Sequence, residues 1–244
     1  MTRVVLWGLV GNSVSDEQVI IAIDGPAGAG KSTIAKALAQ AMKLQYLDTG
    51  AMFRAVTSTV LRLGIDPSDI EQVGSLCEIL SMEVLENQVI ADGIDVTVDI
   101  RTPAVTKAAS VIATNPLVRA NLRSRQRAWT SVRGGGVVEG RDIGSVVFPD
   151  ATLKVYLTAT PRVRAGRRVA EIGGDVDEVE RLISERDLLD STRADSPLRE
   201  AEGSVLIDTS GRLVVDIDPH SNATLTGPAV LVSEHDISKY LQEA

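Results

Sequence analysis

A single cysteine, Cys77, excludes any internal disulfide. It sits in a helical stretch and reads as packing rather than chemistry. Histidine is nearly absent too. His220 and His235 have no cysteine or glutamate at ligand spacing, which excludes an imidazole metal site, and both read as ordinary surface residues. Aromatics make up 3% of the chain, too few for a platform on which several bases stack. The apolar run at 4–10 is too short to span a membrane. It also lacks a long apolar core and a cleavage site of secretory type, so a cytoplasmic location without a membrane partner is expected. Basic residues are outnumbered 25 to 33, giving a net charge of −8 and no global attraction for nucleic acid. An anionic partner must therefore be held by a local basic cluster. Of the 25 basic residues 19 are arginine, the side chain whose planar fork grips phosphate.

The 244 residues suffice for one sizeable core with small appended lobes. Residues 19–23 form a β-branched run that ends in Asp24-Gly25-Pro26, the pattern of a buried parallel strand. A helix is predicted over 32–42, a short strand at 45–47, and helices over 51–63 and 69–80. The pattern changes at 82–97, where weak alternation and the turns Glu86-Asn87 and Asp92-Gly93 predict short antiparallel strands. Thr102-Pro103, Asn115-Pro116 and Thr160-Pro161 each open a helix. Residues 133–136 read as a glycine-rich turn, 137–138, 153–157 and 205–207 as strands, and 177–191 as a charged helix. Toward the end, 213–217 reads as a strand, 219–228 as a polar loop and 237–242 as a helical turn. Strands alternating with helices predict an α/β fold with a mostly parallel sheet covered on both faces. Ligands then sit at the carboxyl ends of the strands.

Gly25-Pro26-Ala27-Gly28-Ala29-Gly30-Lys31-Ser32 fits the phosphate-loop pattern G-x-x-x-x-G-K-[ST], and it lies between a strand and a helix as the pattern demands. Its glycines let backbone N–H groups turn toward phosphate oxygens, and the following helix start adds partial positive charge. Lys31 is expected on the β- and γ-phosphates and Ser32 on Mg²⁺. No guanine-reading [NT]-K-x-D segment is present; Thr106-Lys107 runs into Ala108-Ala109. Arginines are instead dispersed along the chain at 54, 119, 123, 127, 141, 167, 168, 186 and 193. Two phosphorylated substrates repel by on the order of 4 kcal/mol per like-charge pair at about 4 Å and an effective dielectric of 20. Several arginines, some on a closing lid, offset that repulsion.

Further motifs stand beside the phosphate loop. They are Leu47-Asp48-Thr49-Gly50-Ala51-Met52-Phe53-Arg54, Ile100-Arg101-Thr102, Ala109-Ser110 and Arg119, then Gly140-Arg141-Asp142-Ile143-Gly144, Val146-Val147-Phe148-Pro149-Asp150 and Glu185-Arg186-Asp187. With them the chain resembles the bacterial cytidylate kinases, nucleoside monophosphate kinases of the phosphate-loop class, over residues 20–209. The resemblance implies transfer of the γ-phosphate of ATP to CMP or dCMP, with Mg²⁺ as cofactor. It implies Lys31, Arg141, Arg167 and Arg193 as catalytic. It implies ATP contacts from Gly25, Pro26, Ala27, Gly28, Ala29, Gly30, Lys31, Ser32, Thr33, Arg164 and Arg168. It implies that Asp48, Thr49, Arg54, Ser110, Arg119, Arg141, Asp142, Arg186, Asp190 and Arg193 surround the CMP. Cytosine offers an amino donor to a carboxylate such as Asp142 and acceptors to Arg119 and Ser110, whereas uracil reverses that polarity. The implied layout is a core at 19–50, 133–163 and 186–210, a monophosphate lobe at 51–132 with an antiparallel insertion at 82–100, and a lid at 164–185. Residues 1–18 then form an extension or edge strand, and 211–244 an atypical closing segment. A monomer with no nucleic-acid partner is expected. Phe53 stands where the resemblance leads one to expect tyrosine, and Leu188-Leu189 where polar residues are expected.

Each motif also has a plain structural reading. Arg119, Arg123 and Arg127 form one helical stripe, usually a solvated face. Gly140-Arg141-Asp142 can be a turn with an internal ion pair. Asp48 can be a helix cap, and Arg167-Arg168 a surface pair balanced by Glu171. Two rival functions stay open: a kinase for another small phosphorylated acceptor, and an ATP-gated RNA-binding module that uses the 119–127 helix.

Overall fold

A computed structural model describes residues 2–6, 18–211, 214–217 and 223–227. In chain order the strands are β1 (Thr2–Leu6), β2 (Val19–Asp24), β3 (Tyr46–Asp48), β4 (Met82–Val84), β5 (Val89–Ala91), β6 (Ile94–Asp95), β7 (Gly135–Gly140), β8 (Leu153–Thr158), β9 (Val205–Asp208), β10 (Val214–Ile217) and β11 (Ala223–Gly227). The helices are α1 (Lys31–Met42), α2 (Thr49–Arg62), α3 (Ile70–Ile79), α4 (Pro103–Ile112), α5 (Pro116–Arg133), α6 (Pro161–Ile172) and α7 (Val176–Thr192).

The central sheet runs β3-β7-β2-β8-β9, and every neighbouring pair is parallel. The fully buried Ile21, Ala22 and Ile23 show why the middle strand reads as continuous apolar sequence: both of its faces are covered. Ile21 and Ile23 pack with Ile34, Ala35 and Leu38 of α1, whereas Ala22 joins Leu47, Val138, Val56 and Leu122 under α2 and α5. The predicted α/β class with a covered parallel sheet is therefore the fold of the chain. A second sheet, β4-β5-β6, is antiparallel as the sequence predicted and occupies 82–95.

Helix starts follow local capping chemistry. Asp48, Asp69, Thr102, Asn115, Thr160 and Asp175 each accept a hydrogen bond from a first-turn amide. The Asn115 side-chain amide also donates to the Ile70 carbonyl at 3.0 Å and so ties the start of α5 to α3.

Four readings of the sequence are corrected. The stretch at 219–228 is not all loop: Ala223–Gly227 is a strand paired with both β1 and β10. β1 does not add to the edge of the central sheet but joins this third, terminal sheet. The β1–β11 pairing spans more than 200 positions and leaves no local signature. Gly135 and Gly136 belong to β7 rather than to a turn. A Cβ on Gly135 would lie 2.2 Å from the Val19 carbonyl, so the strand needs glycine to approach β2. Finally, a π-helical turn at Ile143–Val147 follows β7 where no element was predicted. His220, His235 and the helical turn expected at 237–242 lie outside the described residues. None of the described helices is long and apolar enough to cross a membrane.

Candidate active site

The carboxyl ends of β2, β3, β7 and β8 converge on one side of the sheet, and most of the expected site residues follow them. After β2 the chain turns through Gly25, whose φ of 147° and close approach to Leu157 exclude a side chain: a Cβ would lie 2.0 Å from the Leu157 carbonyl. Gly30 takes the left-handed conformation at the N-cap of α1, with φ of 87°. Pro26, Ala27, Gly28 and Ala29 form the loop between them. Ser32 and Thr33 lie exposed in the first turn of α1. Lys31 is buried, and its Nζ donates to the Pro26 carbonyl at 2.9 Å. Burial, then the nearby Arg141, push its ammonium well below the usual lysine range. An incoming polyphosphate opposes both influences, so ATP binding is expected to draw in protons increasingly as pH rises above neutrality. Calorimetry at pH 8 in two buffers of different ionisation enthalpy reads this uptake; identical heats would contradict it.

The arginines form one cluster built by long-range pairing. On α5, Arg119 is buried and donates through Nη2 to Asp142 at 2.6 Å and through Nη1 to the Ala113 carbonyl at 3.2 Å. Its guanidinium lies 5.7 Å from the centre of the Phe53 ring, a cation–π contact that needs no tyrosine hydroxyl. Arg141 donates to Asp190 at 3.0 Å. Arg193 lies 3.6 Å from both Asp142 and Asp190. Burial opposes ionisation of Asp190, but Arg141, Arg186 and Arg193 outweigh it and hold the carboxyl below its usual range. On α2, Arg54 donates to Asp48 at 2.9 Å, while Asp48 also caps the helix through Ala51 N–H. The cap and the arginine partner are thus the same side chain. Arg54 and Arg186 each keep a buried Nε with no hydrogen-bond partner among the described residues. Burial and the charge of Arg141 press the Arg186 guanidinium down to about 10. Buried donors without acceptors, in a group that repels itself, are what an anion would satisfy.

Some expected contacts point elsewhere. The Thr49 hydroxyl donates to the Glu139 carbonyl at 2.7 Å. Ser110 is half-buried on α4. Arg164 is buried against the phosphate loop: it bonds the Ala27 carbonyl at 3.1 Å and Asp187 at 2.6 Å. Arg167 donates to the Gly28 carbonyl and to Thr209. Arg168 pairs with Glu171 on the exposed face of α6, as the plain reading had it. The reading of an internal Arg141–Asp142 pair fails, since each finds a partner on a different helix. The solvated-face reading of the α5 stripe fails for the buried Arg119 and the half-buried Arg123 and holds for the exposed Arg127, which is nonetheless hydrogen-bonded. Arg123 binds Asp195 and Ser196, and Arg127 binds two main-chain carbonyls.

Three residues were missed. Glu139, the next-to-last residue of β7, is buried beside the phosphate loop and accepts from the Tyr46 hydroxyl. Burial and Asp48 raise its carboxyl, while Lys31, Tyr46 and Ser32 favour its charged form. Burial and Glu139 in turn raise the Tyr46 phenol. Asp24 ends β2 and accepts from two amides of the turn after β7. Asp24 and Glu139 lie at or next to a strand's carboxyl end, and inspecting every such position would have found them, whereas Tyr46 opens β3 and carries no such signal.

Comparison with known proteins agrees with this geometry. The cytidylate kinase family model matches residues 21–219. The cytidylate kinase of Mycobacterium leprae is 44% identical over 207 residues, covering 83% of this chain and 93% of that protein. That of Corynebacterium efficiens is 46% identical over 214 residues, covering 84% and 93%. A bifunctional pantoate ligase/cytidylate kinase of Prochlorococcus marinus is 46% identical over 211 residues, 82% of this chain but 42% of that longer protein. With a phosphate loop facing a nest of arginines and a match across most of its length, the chain belongs to the cytidylate kinase family, phosphotransferases that act on CMP.

Proposed function

We propose that the protein transfers the γ-phosphate of ATP directly to the phosphate of CMP or dCMP, giving ADP and CDP or dCDP. The observation that carries the reading is the set of buried guanidinium nitrogens without a hydrogen-bond partner among the described residues, on Arg54, Arg119, Arg186 and Arg193, in the cluster with Arg141. The cluster has donors left over for a second polyanion, which a simple ATP hydrolase does not need.

Lys31 and the phosphate-loop amides hold the donor, with Arg164 and Arg167 bracing the loop from α6. Arg54, Arg141, Arg186 and Arg193 hold the acceptor phosphate and the phosphoryl group in flight. Asp142, aligned by Arg119, takes the cytosine amino hydrogens. The oxygen donors present fit Mg²⁺: the exposed Ser32 hydroxyl would hold it, with the Glu139 carboxylate behind, and the ion would supply charge neutralisation for the transferring phosphate. The reaction moves little proton density, so positioning and charge stabilisation dominate. An acceptor panel of CMP, dCMP, UMP, AMP and GMP, followed by ADP release, tests this. CMP and dCMP are expected to exceed UMP by at least about tenfold in kcat/KM, because uracil would leave Asp142 facing an acceptor. Equal values for UMP and CMP would overturn the assignment of the base contacts.

A further inference from the structure

The turn Ile143–Val147 is a single π-helical turn, with Phe148 N–H bonded to the Ile143 carbonyl at 2.7 Å and Val147 N–H to the Asp142 carbonyl at 3.1 Å. One isolated turn does not hold itself. Closing it fixes several dihedrals for very few bonds, and nucleation is unfavourable by roughly a thousandfold. Yet Arg141 and Asp142 sit immediately before it, and their reach to Asp190, Arg119 and Arg193 is set by where it begins. Something outside the turn must fix it.

Two side chains meet its two ends. The Asp24 carboxylate accepts from Ile143 N–H at 2.8 Å and Gly144 N–H at 2.7 Å, the free donors at the amino end. The Arg127 guanidinium donates through Nε to the Val147 carbonyl at 3.0 Å and through Nη2 to the Val146 carbonyl at 3.1 Å, the free acceptors at the carboxyl end. The charges are of the right sign for each end: an acid at the amino terminus and a base at the carboxyl terminus. The two come from β2 and α5, separate elements on which the turn is held as a bridge. Burial pushes the Asp24 carboxyl up to about 6, although both amide bonds favour its charge, so an ionised Asp24 at neutral pH is held there against the cost of burial. Lys154 closes the side of the turn: a Cβ on Gly144 would lie 3.2 Å from its side chain.

We infer that Asp24 and Arg127 are positioning residues of the acceptor site, clamping the 143–147 turn at both ends so that Arg141 and Asp142 stay in register with the arginine cluster. This rests on the reading of Arg141 and Asp142 as acceptor contacts. Among the described residues the Arg127 guanidinium hydrogen-bonds only the Val146 and Val147 carbonyls, so its loss should reach the acceptor through the turn.

The test uses Arg127→Ala and Arg127→Lys. Arg127 is exposed, so both variants are expected to fold. Hydrogen exchange in the unliganded enzyme reads the clamp without any assay of activity. Amides 143–148 should lose protection at least about tenfold in Arg127→Ala while those of β9 keep theirs, and Asp24→Asn should unprotect the same segment. Steady-state kinetics reads the consequence. In Arg127→Ala the KM for CMP should rise about tenfold or more with the KM for ATP within about twofold, since a displacement of about 1 Å suffices for losses up to about a hundredfold. Arg127→Lys, which keeps one carbonyl bond, should fall between. Unchanged exchange at 143–148 would overturn the clamp, and so would equal rises in both KM values, the pattern of a general loss of structure. If the wild type fails to phosphorylate CMP, the functional reading falls, while the exchange result still judges the clamp by itself.

Discussion

Lys31→Ala lowers kcat by about two to three orders of magnitude while leaving the protein folded and its melting temperature unchanged or raised. The first half follows from the position of Nζ inside the phosphate loop, bonded to the Pro26 carbonyl at 2.9 Å, where it can be released to bridge transferring oxygens. Removing one preorganised charge-stabilising donor costs about 10²–10³ in rate in comparable sites. The second half follows from electrostatics in the unliganded protein. Burial and Arg141 already push the Lys31 ammonium down, so its charge is a burden on the empty site. Sign and window are fixed by that direction. A lysine with a depressed pKa is disfavoured as a cation in the folded state, and its cost to stability is full below its folded pKa of about 7, where the folded protein too must carry the charge, and fades as pH rises toward the unfolded value. The melting temperature of the variant should therefore exceed that of the wild type most clearly on the acid side of neutrality. Single-turnover kinetics and calorimetric melting at two pH values check both halves. Retained turnover, or a variant that melts well below the wild type, would refute the assigned role.

Asp142→Ala has the opposite character and loses both stability and acceptor recognition. Asp142 is the carboxylate between Arg119 at 2.6 Å and Arg193 at 3.6 Å, and Arg119 is only 4% exposed. Its removal leaves a buried guanidinium with the Ala113 carbonyl and a 3.6 Å contact to the more exposed Asp195. Breaking one side of a buried pair costs about 3–5 kcal/mol, because the remaining charge stays desolvated. For a domain of this size that is a fall in melting temperature of about 10 °C. Adding the double variant Arg119→Met/Asp142→Ala separates the two effects. It removes the stranded charge and should recover much of the stability without recovering CMP turnover. A double variant as unstable as the single one would show that the pair's packing, not its charge, is what matters.

These two residues mark what could be read locally and what could not. Lys31 was legible because the phosphate loop is eight contiguous residues whose spacing dictates its own geometry between a strand and a helix. Asp48 was legible as a cap for the same reason: its partner amide is three positions on. The partners of Asp142 and Arg141 were not, since the bonds to Arg119 and Asp190 span 23 and 49 positions. On the sequence Arg119, Arg123 and Arg127 look like one stripe, and a helical wheel gives them one fate. In the fold their three environments differ, because each turn of α5 meets a different part of the chain: Arg119 reaches Asp142, Arg123 reaches Asp195 and Arg127 reaches the carbonyls of Val146 and Val147.

The sequence by itself determined the alternation that builds the parallel sheet, the phosphate loop, the antiparallel insertion and the supply of arginines, all properties of residue type within a few positions. Only the tertiary structure decided which arginines pair with which carboxylates, which are left with free donors, and that Asp24 and Glu139 belong to the site at all. The reason is physical. Charge pairing and desolvation depend on distance in space and on burial, and neither is defined until the sheet has brought the ends of its strands together.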